Sequence, residues 1–408
     1  MKKQKLLFLS HRFPYPPDKG DKIRALNILE HLAARYEVWL GCLDGDAEGA
    51  ANPRWAEERG YHIYCGLLGR MRRLVQTGWS MINGQPLSTG YFYHDGLQRW
   101  VTDVLANERP DLIYVYSSAM AQYVMKAPRR SESLIMDFVD VDSLKWEQYA
   151  TSKPWPVAWM YRLEAGRLLH HDRQVASLTD ASLFVSAAEA RIFKDLAPEV
   201  TDKTFAVSNG VDTTHFSPDA GTPAPALTGK RTLVFVGVMD YWPNVEAVQW
   251  FADHVFPEIR KQIPDIWFQI VGSRPSAAVQ ALGTRPNIEV TGAVPDVRPY
   301  LSNASVVVTP LRIARGIQNK VLEGMAMAKP LVTTPDALEG ISAVPGEHVL
   351  VASTPEDFAA KVLMCLNGHT PDGLAKRARD FVVAKYSWQA QLADLDRVLE
   401  RLKPTRPA

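Results

Sequence analysis

The chain has 408 residues, 46% of them hydrophobic and 22% charged, with a formal net charge of +1. That length is about twice an ordinary domain, and the charge balance excludes a dedicated nucleic-acid binder, which carries a marked basic excess. No apolar run reaches the roughly 18 residues that cross a bilayer, and Cys42, Cys65 and Cys365 stand far apart with no metal-ligand rhythm, as reduced thiols of a cytoplasmic protein do.

The N-terminal lysines precede only four apolar residues, Leu6 to Leu9, too short a stretch for a secretory signal and suited to a buried first strand. From there short apolar runs alternate with helical periodicities, a pattern that predicts βα units and parallel sheets. Strands are expected over 6–10, 37–43, 61–65, 111–116, 134–138 and 183–186. A helix over 22–35 puts Ile23, Leu26, Leu29 and Ala33 on one face, and a long helix follows over 155–178. Residues 219–230, rich in Pro, Gly and Ala, read as a linker, after which the pattern restarts. Strands then fall over 232–236, 266–271, 288–291, 305–309, 330–333 and 348–351, with helices over 245–262, 295–302 and 317–327. Residues 371–403 read as two helices, the second opening at Ser387-Trp388. The expected division is 1–208, 209–386 and a C-terminal helix in 387–408. Two such domains facing one another would bind ligands in the cleft where strand C-termini and helix N-termini gather.

The densest local signal is Pro310-Leu-Arg312-Ile-Ala-Arg315-Gly316-Ile317-Gln-Asn319-Lys320-Val-Leu-Glu323. A strand runs through a glycine into a helix whose first N–H groups favour a phosphate. Gly316 lets the backbone approach closely, and Lys320 and Glu323 follow at helical spacing, expected on one face with Gly316. Lys320 would neutralise phosphate while Glu323 accepts a vicinal diol such as ribose. An exposed Lys–Glu pair, worth only tenths of a kcal/mol, explains the same spacing. Gly272 and Gly292 each end a strand and serve either a nucleoside or a tight turn. In the first half Gly20 and Asp21 open a helix; amides there would face a diphosphate or an acceptor, and Asp21 would equally be a helix N-cap. Asp140 and Asp142, after the strand at 134–138, are candidates to position or deprotonate a hydroxyl, or to cap a loop. No His or Cys stands beside them as in a metal site. Residues 67–79 combine Arg70, Arg72 and Arg73 with Leu68, Met71, Val75 and Trp79, which suits either an anionic membrane surface or a core-packed helix.

Glu323-Gly-Met-Ala resembles the second half of the nucleotide-binding signature of GT-B glycosyltransferases of the large family 4 group. Where those carry a first glutamate contacting the transferred sugar, this chain has Arg315, so that contact does not carry over. Asn319-Lys320-Val-Leu-Glu323 is similar to a subgroup with Asn-Lys-x-x-Glu, in which the lysine contacts the diphosphate. Arg312 and Arg315 would add charge there. Ser208-Asn209-Gly210-Val211-Asp212 resembles the family's entry to its second domain. The segment from Gly237 to Asn244 replaces the usual Gly-Arg…Lys-Gly loop and lacks its basic pair. Asp21 stands where many relatives have a second adjacent glycine, and relatives carry a catalytic His or Asp near Asp140 and Asp142.

The resemblance spans about residues 5–395. It implies two Rossmann-like, doubly wound domains in a GT-B arrangement, with the last helix returning to the first domain. It also implies a retaining, metal-independent transfer from a nucleotide-diphosphate sugar, which is a substrate and not a cofactor. Asp-Phe-Val-Asp-Val-Asp-Ser, Pro-Asn-Val-Glu-Ala and Arg-Gly-Ile-Gln-Asn-Lys-Val-Leu-Glu are similar to the sugar transferases of bacterial PEP-CTERM/exosortase systems. That group implies a glycan or lipid-linked acceptor of exopolysaccharide synthesis, at the cytoplasmic face of the membrane. Two other classes stay open: a GT-B-fold nucleotide-sugar epimerase, and a non-catalytic nucleotide-sugar-binding scaffold.

Overall fold

The computed structural model describes residues 3–17, 19–44, 53–125, 132–151, 154–218, 229–314 and 316–402, with the backbone alone at 44, 70–74, 82 and 151. The chain divides into two compact units, one of residues 1–209 with 392–408, the other of residues 210–391. Both are α/β units built on parallel sheets, the fold class of GT-B proteins.

In the first unit the strands are β1 (Gln4–Ser10), β2 (Tyr36–Asp44), β3 (His62–Leu67), β4 (Leu112–Tyr116), β5 (Ser133–Val139), β6 (Ala181–Phe184) and β7 (Thr204–Ala206). They lie in the order β3-β2-β1-β4-β5-β6-β7, all parallel. Leu6, Leu7, Phe8 and Leu9 in β1 are fully buried, as a central parallel strand covered on both faces requires. Two local readings change. The strand expected at 183–186 lies earlier, because Ser186 caps helix Ala187–Leu196 and accepts the Glu189 N–H at 3.1 Å. β7 is a three-residue Thr-Phe-Ala strand with no apolar run to announce it; pairing with β6 makes it one.

In the second unit β8 (Thr232–Val236), β9 (Trp267–Val271), β10 (Ile288–Gly292), β11 (Val306–Thr309), β12 (Leu331–Thr333) and β13 (Leu350–Val351) lie in the order β10-β9-β8-β11-β12-β13. The single helix expected over 245–262 is a rod of three pieces: Trp242–Trp250, a π-helical stretch Phe251–Val255, and Phe256–Gln262. Pro257 has no N–H to offer the regular ladder, and the widened turn absorbs the loss. The last helix, Trp388–Leu402, starts among second-unit residues, and from Leu392 on belongs to the first. There Asp396 accepts from Arg35 Nη2 at 2.7 Å and lies 2.8 Å from His31 Nε2.

Candidate functional site

In the second unit the loops after β8 and β9 meet backbone to backbone. Gly272 has φ +149°, and a Cβ there would stand 1.7 Å from the Gly237 carbonyl oxygen, so no side chain fits. A Cβ on Gly237 would in turn come within 2.8 Å of Asn244 Nδ2. Asn244, buried at the start of helix Trp242–Trp250, donates from Nδ2 to the Val238 carbonyl at 2.9 Å. That bond aims its Oδ1 at Lys320, whose ammonium donates to it at 2.6 Å and sits over the Phe235 ring. Gly292, with φ +70°, has open space around its α-carbon.

The helix carrying Lys320 and Glu323 runs Asn319–Ala326, two residues shorter at its start than expected. Gly316 and Ile317 are therefore not on its face: they form the approach to it, Gly316 at φ +67°. Gly340 backs onto this approach, since its Cβ would lie 3.3 Å from the Gly316 carbonyl carbon and 3.4 Å from the Ile317 nitrogen. Gln318 precedes the helix and gives it no side-chain cap; a helix start is where backbone N–H groups favour an anion. Arg312 is held by Glu246, with Nε at 2.9 Å and Nη2 at 2.8 Å from Oε1, and stacks over Trp250. Arg315 lies outside the described residues.

The exposed-pair reading of Lys320 and Glu323 does not hold. Burial brings the Lys320 ammonium down to about 8 against the pull of Glu323, and burial lifts the Glu323 carboxyl to about 7 against the pull of Lys320. Both are short of water, and the pull of each on the other does not make up for it, the condition in which a polyanion with hydroxyls is welcome.

In the first unit β1 ends at Ser10, and helix Gly20–Ala33 follows the next loop. Asp21 is not its N-cap. Lys19 holds that place, and Asp21 lies in the first turn. Its carboxylate takes the Arg12 guanidinium at 2.5 Å and lies 3.3 Å from His11 Nε2. Burial opposes its charge, but His11 and Arg12 outweigh that and hold it well below the usual carboxylate range. Gly20 meets nothing within 4 Å of a would-be Cβ.

At the end of β5, Val139 takes φ +72°, a costly conformation for a β-branched residue, and the sheet register shifts there. The turn presents Asp140 and Asp142 to one ammonium: Lys145 Nζ donates to Asp140 at 2.7 Å and to Asp142 at 2.9 Å. Burial alone would lower Lys145; the two carboxylates outweigh it and push the ammonium well up. Beneath them Arg24, 1% exposed, forks onto Asp137 at 2.9 and 3.1 Å and donates to the Val207 carbonyl and to Asn209. Tyr114 closes the network with a 2.7 Å bond to Asp137.

Several of these groups escape sequence reasoning. Arg24–Asp137 is a contact across 113 residues with no local signature. Asp172 leaves a trace: it falls on the buried stripe of helix Val157–Leu178 with Ala165, Leu168 and Val175. Burial pushes its carboxyl up to about 8, with Asp142 adding to the effect, and Ser118 donates a hydrogen bond to it. Among the described residues no three His, Cys, Asp or Glu are grouped to hold a metal ion, and no helix is long and apolar enough to cross a membrane.

Residues 230–368 match the family described as Glycosyl transferases group 1. No curated protein matches the sequence. Among solved structures, a glycosyltransferase from Rickettsia africae is similar at 13% identity and TM-score 0.64, covering 99% of this chain and 100% of its own. A sucrose-phosphate synthase from Thermosynechococcus elongatus is similar at 15% identity and TM-score 0.66, over 98% and 99%. Anabaena HepE in complex with UDP is similar at 14% identity and TM-score 0.64, over 97% and 100%. At these identities the likeness establishes the GT-B fold, spanning nearly the whole chain.

Proposed function

We propose that the protein is a glycosyltransferase that takes a sugar from a nucleoside-diphosphate sugar and passes it to a hydroxyl of a glycan. The observation that carries this reading is Lys320: an ammonium half out of water, hydrogen-bonded to Asn244, beside an uncapped helix start reached through Gly316. These residues lie in the segment that matches the group 1 family, and Anabaena HepE, of similar fold, is known with UDP and with UDP-glucose.

In this reading the diphosphate rests on the amides after Gly316 and Ile317 and on Lys320, with Arg312 and Arg315 contributing charge. Glu323 takes the ribose hydroxyls, and the backbone at Gly272 and Gly292 walls the nucleoside. The bond from the anomeric carbon to the diphosphate oxygen breaks, and the acceptor oxygen bonds to that carbon. The electron pair leaves on the diphosphate, where Lys320 and the helix amides stabilise it without a metal. The acceptor proton goes to the leaving diphosphate in a retaining, front-face transfer, with Asp140 and Asp142 orienting the hydroxyl. The sequence resemblance favours a lipid-linked acceptor of exopolysaccharide synthesis in a PEP-CTERM/exosortase setting.

Calorimetric titration with UDP, GDP and their sugar conjugates, without metal and then with magnesium, tests the reading. Saturable binding of one nucleotide without metal, followed by sugar transfer, is expected. Binding without turnover on any glycan acceptor would favour a donor-binding scaffold. No binding at all would sink the proposal.

A further inference from the structure

Among the described Phe, Tyr and Trp residues of the second unit only two are exposed, and they are neighbours: Tyr241 at 61% and Trp242 at 59%. They stand where the loop after β8 enters helix Trp242–Trp250. Val238 in the same loop and Ile313 in the loop after β11 are exposed as well. Scattered single apolar residues on a surface need no explanation, but adjacent rings left in water mark a binding surface.

The backbone that carries these rings is fixed. Met239, fully buried, donates its N–H to the Ser273 carbonyl at 2.8 Å and accepts the Ser276 N–H at 3.1 Å. Tyr241 donates its N–H to the Val238 carbonyl at 3.3 Å, and its own carbonyl takes the Asn244 N–H at 2.9 Å. A surface set in place before anything binds has less ordering cost to overcome.

The rings also border the Lys320 site. Trp242 begins the helix whose Asn244, about 3 Å further along the axis, receives the Lys320 ammonium. Trp242, Glu246 and Trp250 recur every fourth residue along one side of that helix. Arg312 lies on this side, bonded to Glu246 with its guanidinium over Trp250. Ile313 comes next, in the segment that leads to Gly316 and Lys320. An apolar rim thus adjoins the charged groups that would hold a diphosphate. The carboxylates of this rim are already engaged, Asp240 by Arg274 at 3.2 Å and Glu246 by Arg312 at 2.8 Å. A sugar hanging from that diphosphate would meet ring faces, to which a pyranose can turn its apolar C–H face.

Building on the transferase reading, we propose that Tyr241 and Trp242 are the platform on which the donor's transferred sugar stacks, a pyranose held by its C–H face, and that these rings select the sugar. Calorimetry on wild type, a Tyr241→Ala/Trp242→Ala variant and a Tyr241→Phe/Trp242→Phe variant tests this. The probes are UDP, UDP-glucose, UDP-N-acetylglucosamine, GDP and GDP-mannose. The alanine variant should bind the bare diphosphate within about twofold of wild type and its sugar conjugate about tenfold more weakly. The phenylalanine variant should recover most of that loss, and the melts of all three should agree.

Equal losses for diphosphate and conjugate, or no loss for either, would overturn the platform. So would light scattering showing a dimer that the alanine substitutions abolish, which would make a second copy the occupant. Each of these leaves nucleotide binding, and with it the transferase reading, standing. Failure of wild type to bind any of the probes would overturn both.

Discussion

Lys320 Nζ lies 2.6 Å from Asn244 Oδ1, a contact across 76 residues that joins the helix after β11 to the helix after β8. The amide cannot turn away, because its nitrogen is engaged by the Val238 carbonyl. The ammonium is thereby held above Phe235 at the edge of the helix start. Lys320→Ala is expected to weaken nucleotide-diphosphate binding by about 10- to 100-fold, the loss of one charge-assisted contact in a partly desolvated site. Calorimetry measures it, and wild-type affinity in the variant would remove Lys320 from the site.

The Lys320–Glu323 pair also sets a pH dependence. Glu323 is raised from its ordinary value to about 7, so its stabilising contribution is full at acid pH and is lost as pH rises through about 7. Lys320 is lowered to about 8, so its contribution is full in alkali and is lost as pH falls through about 8. Between them the ligand-free second unit carries both costs near neutrality. Glu323→Gln should raise the melting temperature relative to wild type at pH 8 but not at pH 5. The expected gain is about 2–4 °C, taking roughly 1 kcal/mol after discounting for partial exposure. A difference that does not change with pH would refute the assignment.

Arg24 and Asp137 form a fully buried, bidentate pair. Arg24→Met leaves a carboxylate without its counter-charge and should cost about 3–5 kcal/mol. Thermal denaturation should show the loss while nucleotide affinity stays within about twofold, since the donor-binding groups of the proposed function, from Gly272 to Glu323, lie in the second unit. A large drop in nucleotide affinity in the folded variant would contradict the independence of the two sets.

Two glycines with positive φ give a controlled comparison. Gly272→Ala drives a Cβ into the Gly237 carbonyl and should destabilise by at least about 3 kcal/mol. Gly292→Ala meets open space and should cost only about 1–2 kcal/mol of backbone strain. Denaturant unfolding of both variants checks the order; equal losses would mean that the loops after β8 and β9 do not touch as described.

Asp142→Asn tests the acceptor side. Transfer should fall about 100-fold while nucleotide affinity stays near wild type, because the role proposed for the carboxylate is on the incoming hydroxyl and not on the donor. Unchanged turnover would leave Asp142 as a partner of Lys145 only.

The parallel α/β order of both units was legible in the chain. Runs such as Leu6–Leu9 and Thr232–Val236 must be covered on two faces, and only a parallel sheet between helices does that. The same reading singled out Gly316, Lys320 and Glu323 from a strand, a glycine and helical spacing, all local signals. It misjudged what depends on neighbours distant in sequence. Lys320 lost its solvent by reaching Asn244 and the Phe235 ring, far from it in the chain, which spacing along one helix does not report. Asp21 left the cap for Arg12 and His11 because the loop between them folds back. Gly272 has no room for a side chain because pairing of β9 with β8 brings the Gly237 carbonyl beside it. Periodicity and turn chemistry act over a few residues and are written in the sequence itself. Burial, pKa and pairing such as Arg24 with Asp137 arise when the sheets set distant strand ends side by side, so tertiary structure alone decided them.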